Sequence, residues 1–277
     1  MQIKPHFGFD YDCQVANFTI NDRDYLVSEL QRHKVLRFRN QSVDPDQLAR
    51  FSEIFGPIWT NDDNGILSGN GERNSNHPDS HKITLVSNKG NGVLADYLVP
   101  WHCDVSHKPW QTKGGTMPFR ILYCVKTASD EKSVTKWFDQ TYLYDNLSSE
   151  LRALVERLQI CMKAPYETGW DQNIMPFVLT DPVNGRKSVA LQSLFFQNFV
   201  GLTRDQSLAI TRQLFDIALQ DDNVIIHEWE VGDLVISNSY NTAHQREKMY
   251  TQEERTLWRT TFQIPELVPF EIKPEEF

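Results

Sequence analysis

The chain has 277 residues, 40% of them hydrophobic and 23% charged, with 28 Lys and Arg against 37 Asp and Glu, a net charge of −9. These figures exclude fibrous, disordered and disulfide-dense classes, and the acidic balance argues against nucleic acid as a partner. No stretch approaches the roughly 20 apolar residues that span a bilayer, the opening MQIKPHFGFDYD lacks the basic-then-apolar pattern of a secretory signal, and Cys13, Cys103, Cys124 and Cys161 have no CxxC spacing and suit a reducing, cytoplasmic setting.

Along the chain, residues 22–33 predict a helix with Tyr25, Leu26 and Leu30 on one face, and residues 34–38 (KVLRF) predict an alternating strand. Asp44 can cap a second helix with Pro45 at its first position, Leu48, Phe51 and Phe55 as its inner stripe and Gly56 just past its end. Residues 62–78 are rich in Asn, Asp, Gly and Ser and predict a surface loop that could act as a lid; residues 112–118 predict a second break. A helix is expected at about 148–158, and another from Thr203, with Gln206 completing a capping box. Strands are expected at 82–87, 120–126, 177–180, 187–191, 233–237 and 259–264, with Asn184-Gly185 as a hairpin turn. Helices cluster while strands are scattered, which is unlike a doubly wound parallel sheet and fits an antiparallel sandwich or barrel flanked by helices.

The chemistry-bearing segment is Trp101-His102-Cys103-Asp104. In extended backbone, residues two apart share a face, so His102 and Asp104 stand side by side while Cys103 points away. An H-x-D triplet alone is weak evidence, but His244 follows the strand-like GDLVISN. Two imidazoles and one carboxylate, two close in sequence and one distant, form the facial triad of non-haem Fe(II) oxygenases. Such a triad leaves three metal positions open, two for a 2-oxo acid and one for O₂. That co-substrate needs a cation for its far carboxylate. Arg255 and Arg259 lie eleven and fifteen residues past His244, on one face of an expected strand, with Arg246 as an alternative. Other candidates are weaker. HEWE at 227–230 is not HExxH and predicts a polar strand edge. His77 and His81 flank a loop, Gly69-Asn70-Gly71 lacks the rest of a phosphate loop, and Ser106 and Ser239 have no base at recognisable spacing.

Together these segments resemble the taurine dioxygenase / 2,4-dichlorophenoxyacetate dioxygenase family of Fe(II)- and 2-oxoglutarate-dependent oxygenases. LRFRNQSVDPDQLARFSEIFGPI, WHCDVS, TDPVNGRKS, GDLVISNSYNTAHQRE and ERTLWR carry the likeness across most of the chain. The resemblance implies a mainly β fold with flanking helices, a double-stranded β-helix or jelly-roll barrel, read over 1–277 as a single catalytic domain with helical insertions. It implies that His102, Asp104 and His244 bind Fe(II), that Arg255 and Thr135 hold 2-oxoglutarate, and that Arg259 meets an anionic substrate, with Trp101 expected to line the cavity. The Thr135 segment departs from the family, reading Lys132-Ser133-Val134-Thr135 where a Gly-Gly-Asp-Thr stretch is usual. The longer stretch after Asp104, with Trp110 and Gly114-Gly115, could cover the site. Halogenating relatives lack the carboxylate, so Asp104 speaks against halogenation. The implied activity is hydroxylation or desaturation of a small, carboxylate-bearing or amino-acid-derived metabolite, with release of succinate and CO₂. Substrate identity, the choice between those outcomes and self-assembly stay open at this point, as does a non-catalytic metal or anion binder on the same scaffold.

Overall fold

The computed structural model describes residues 3–59, 76–89, 98–106, 117–163 and 172–269. The expected lid at 62–78 lies almost wholly outside them, as do Trp110 and Gly114-Gly115. Strands and helices are numbered in chain order. A seven-stranded sheet runs in the order Phe9–Tyr11 (β1), Val35–Phe38 (β2), Leu234–Ser237 (β14), Phe119–Lys126 (β6), Thr256–Phe262 (β16), Ser80–Ser87 (β4) and Asn76–His77 (β3). A four-stranded sheet contains Val224–Glu228 (β13), Val134–Asp139 (β7), Thr242–Arg246 (β15) and Val99–His102 (β5). Two small sheets complete the set: Phe196–Phe199 (β12), Gln159–Met162 (β8) and Asn173–Pro176 (β9), and the hairpin of Val178–Thr180 (β10) with Lys187–Val189 (β11). All the pairings are antiparallel except β1 with β2. The two larger sheets line one cavity between them, the jelly-roll arrangement.

The helices are Arg23–His33 (α1), Pro45–Phe55 (α2), Gln140–Asp145 (α3), Ser149–Val155 (α4) and Arg204–Ala218 (α5). Asp44 and Gln47 cap α2 reciprocally, as Thr203 and Gln206 cap α5, so both expected starts are met. On α1 the buried residues are Leu26, Val27 and Leu30. Tyr25 is 51% exposed, because the helix rotates Val27 inward in its place. Helix α4 ends at Val155, a turn short of the expected 158, since the chain then enters β8.

Period-two alternation places the site. In β16, Thr260 meets Ser52 of α2 at 2.7 Å and the Phe262 ring stacks on Phe55 at 5.6 Å. That face is covered by helix; Leu257 and Arg259 face the cavity. Strand β2 is buried on both faces, not one: Leu36 and Phe38 join the main core, and Val35 joins a second cluster with Phe7, Cys124, Trp137, Trp229, Val235 and Leu257. Trp137, Val235 and Leu257 also line the cavity, so this second cluster is its apolar wall.

Gly56 does follow α2, but its φ of 166° is ordinary extended backbone. What requires glycine is space, because a Cβ there would sit 2.0 Å from the Gln263 carbonyl oxygen. The Asn184-Gly185 turn closes β10 to β11, with Gly185 left-handed at φ 71° and the Asp181 side chain accepting from Val183 N and Asn184 N. The segment at 227–230 does close an edge strand, β13, and exposes Glu228 and Glu230, but it is polar on one face only, because His227 and Trp229 are buried.

Candidate active site

His102 and His244 sit directly opposite each other on neighbouring strands β5 and β15. Two residues further along β15, Arg246 pairs with Val99, three residues back on β5, so β5 carries a one-residue bulge. The bulge breaks alternation and turns both Val99 and His102 toward the cavity. Trp101 is then carried to the other side. It packs edge-on against Phe138 at 5.0 Å within the main core, and the expectation that it lines the cavity is corrected. Asp104 lies just past the end of β5, in a turn, and not on the continuous strand that the H-x-D spacing suggests.

The three candidate ligands nonetheless converge. Their donor atoms all lie within 4.8 Å of one another. His102 Nε2 is 3.6 Å from Asp104 Oδ1, and His244 Nε2 is 3.7 Å from Asp104 Oδ2. The Pro100 carbonyl, 2.7 Å from His102 Nδ1, can only accept, so Nδ1 carries the proton and Nε2 keeps its lone pair for a metal. Burial, with the nearby His102 and Arg120, pushes His244 down to about 3 against the pull of Asp104, so its imidazole is neutral. Burial would raise the Asp104 carboxyl, but the Arg120 guanidinium and the two imidazoles outweigh it and hold the group ionised, well below the usual carboxylate range. Two imidazoles and one carboxylate are the donor set that Fe(II) takes in a facial triad. Cys103 turns away, its Sγ accepting from Gln140 Nε2 at 3.3 Å.

The three candidate ligands open onto one cavity with an open mouth, whose enclosed space is about 60 Å³. Arg255, Leu257 and Arg259 line it from successive inward positions of one strand face. Arg255 Nε donates to Ser133 Oγ at 3.0 Å. Thr135 accepts from Trp229 Nε1 at 2.9 Å, which leaves its own O–H to donate. Burial, then the charge of Arg246, lowers Arg255 to about 9; burial, then Arg120, lowers Arg259 to about 9. Both stay cationic at neutral pH, and their burial is a standing cost that a bound anion relieves. Among the described residues, Arg259 Nε is buried with no hydrogen-bond partner.

Two cavity arginines complete the set. Arg246 stands opposite Thr135 in the ladder. Arg120 binds Asp104 directly and escaped the sequence reading altogether. Its signal was an arginine in an otherwise apolar strand, FRILYCV, at a position whose alternation matches Leu122 on the cavity face.

Residues 2–261 match the family described as "Taurine catabolism dioxygenase TauD, TfdA family". Among similar proteins, pentalenolactone F synthase of Streptomyces arenae is 24% identical, over 84% of this chain and 81% of its own. An alkylsulfatase of Acinetobacter baylyi is 24% identical over 92% and 79%. A taurine dioxygenase structure from Burkholderia xenovorans superposes with a TM-score of 0.77 at 21% identity, covering 98% of this chain and 94% of that one. AAD-2, solved with Mn(II) and N-oxalylglycine, gives 0.76 at 21% identity, over 95% and 97%. The chain belongs to the TauD/TfdA family. It is an Fe(II)- and 2-oxoglutarate-dependent dioxygenase, an oxidoreductase that uses O₂ on a small substrate, and a non-catalytic role on this scaffold is not favoured. No helix of the described residues is long and apolar enough to cross a membrane.

Proposed function

We propose that this dioxygenase holds Fe(II) through His102, Asp104 and His244, anchors the distal carboxylate of 2-oxoglutarate with Arg255 and Thr135, and receives a small anionic substrate at Arg259. The whole chain is read as one catalytic domain acting in the cytoplasm. The observation that carries the assignment is the placing of a His-Asp-His cluster and two buried arginines around one cavity.

Each residue has a task in this scheme. When bound, the metal would activate O₂, the oxidant, while 2-oxoglutarate would give up two electrons and leave as succinate and CO₂. His102 presents Nε2 because Pro100 fixes its tautomer. Arg255 offers its fork to the distal carboxylate, and Thr135 donates its O–H to the same group, oriented by Trp229. Trp137, Val235 and Leu257 keep the wall between these groups apolar, which limits water around the charges. Arg259, four residues beyond Arg255 on one strand face, would lie about 13 Å from it at ~3.3 Å per residue. That span suits a second anion better than a share in the first. Two similar proteins have names that fit such a substrate, the alkylsulfatase and a (S)-phenoxypropionate/alpha-ketoglutarate-dioxygenase of Delftia acidovorans. A carboxylate-bearing or amino-acid-derived metabolite, hydroxylated or desaturated, is the proposed class.

The test is an anaerobic titration of the chain with Fe(II) and 2-oxoglutarate, which should develop a weak visible charge-transfer band. His244→Ala should abolish it. A band of equal strength in that variant would remove His244 from the triad.

A further inference from the structure

We infer that Arg120 is a positioning residue for the Asp104 carboxylate, occupying Oδ1 so that Oδ2 is left to the metal. The inference rests on the triad assignment above and concerns a residue that the facial-triad pattern does not include.

Asp104 needs such a partner. His102 and His244 are fixed by the ladder between β5 and β15, but Asp104 lies beyond the strand end. The next residue, Val105, has φ of 58°, left-handed backbone that a β-branched side chain adopts only under strain. The turn closes through Ser106 Oγ on the Cys103 carbonyl at 2.8 Å, a bond that does not touch the carboxylate. Backbone geometry therefore leaves the carboxylate orientation to side-chain contacts.

Arg120 provides the contact from a firm base. It lies in β6, which is paired on one side to β14 and on the other to β16. Its Nη1 donates to Asp104 Oδ1. Among the described residues, Asp104 is the one carboxylate that lines the cavity, against four arginines, Arg120, Arg246, Arg255 and Arg259. Arg120 and Arg259 repel each other, so the carboxylate is the favourable place for the Arg120 fork. The pair also ties the end of the four-stranded sheet, which carries the candidate ligands, to the seven-stranded sheet across the cavity. A ligating carboxylate with its second oxygen held in this way binds a metal through one oxygen, and loss of such outer partners typically weakens metal affinity ~10–100-fold.

The test is direct titration of the metal-free protein with Co(II), read by its visible absorption, with neither 2-oxoglutarate nor substrate present. Arg120→Leu should bind Co(II) about 10–100-fold more weakly and with an altered spectrum, while Arg120→Lys, which keeps a donor and the charge, should recover most of the affinity. Thermal unfolding of each variant reports whether it is folded, and Arg120→Gln gives a second neutral replacement if the leucine variant is not. Unchanged or tighter Co(II) binding in the folded neutral variants would overturn the inference, because Arg120 would then only compete with the metal for Asp104. Failure of the triad itself reads differently: His244→Ala would keep wild-type Co(II) affinity.

Discussion

Arg255 and Arg259 show how far chemistry at single residues can be separated by burial. Both guanidiniums are held near 9 by burial and by a neighbouring arginine, Arg246 for the first and Arg120 for the second. A cation kept this way binds an anion strongly because little water has to be displaced when the pair forms. Arg255→Ala should therefore raise the 2-oxoglutarate Kd of the metal-loaded protein roughly 30-fold or more, the equivalent of ~2–5 kcal/mol for one partner of a desolvated pair. Titration of the charge-transfer band measures it, and an unchanged Kd would move the anchor to Arg246 or Arg259. Arg259→Ala should raise the substrate KM while slow 2-oxoglutarate decay without substrate continues. If decay and substrate turnover fall together, Arg259 serves the co-substrate instead.

At the scale of elements, the site depends on where strands stop and slip. The spacing of His102, Asp104, His244, Arg255 and Arg259 was legible in the sequence because side-chain type and distance along the chain carry it. The caps of α2 and α5 were legible for the same reason, as local hydrogen bonds between residues three apart. The bulge in β5 was not, since a bulge is defined only against its partner strand; it is what sends Trp101 into the core and not the cavity. Arg120 was missed because its meaning comes from β6 lying across the cavity from Asp104, 16 residues earlier in the chain. The role of Gly56 likewise required the distant strand end at Gln263. Gly56→Ala should cost ~1–3 kcal/mol by forcing α2 away from that backbone. Chemical denaturation of the metal-free protein measures it, and a change below about 0.5 kcal/mol would show that the approach relaxes freely.

For the whole molecule, the two large sheets are also joined by a buried ionic group away from the His102-Asp104-His244 cluster. His227 of β13 lies 3.3 Å from Asp233 Oδ2, and its Nδ1 is 3.4 Å from Arg37 Nη1 of β2. Arg37 is paired in turn with Asp10, and Asp233 with Arg39. The rings of Trp137 and Trp229 enclose His227, which is fully buried. Burial, reinforced by Arg37 and opposed by Asp233, lowers this imidazole below its ordinary value near 6.5, so it is neutral in the folded chain. Just below pH 6.5 the unfolded chain takes up a proton more readily than the folded chain does. More protons on the unfolded state mean that stability rises with pH, so it is lost as pH falls through that value. Asp233 is also lowered and acts in the same sense, but its window lies below the ordinary carboxylate value of 3.8. His244 and His33 are lowered as well and add to the slope above that point, so the informative comparison is between variants. Just below pH 6.5, His227→Gln should flatten the dependence of unfolding free energy on pH, by at most the ~1.4 kcal/mol per pH unit that the linkage of one proton supplies. The replacement lowers stability throughout by leaving Arg37 and Asp233 poorly matched, so the slope is the readout and not the offset. Denaturant unfolding of the metal-free proteins across that range decides it: parallel curves for wild type and variant would mean that His227 is protonated in the folded state and that the salt link to Asp233, not burial, sets its charge.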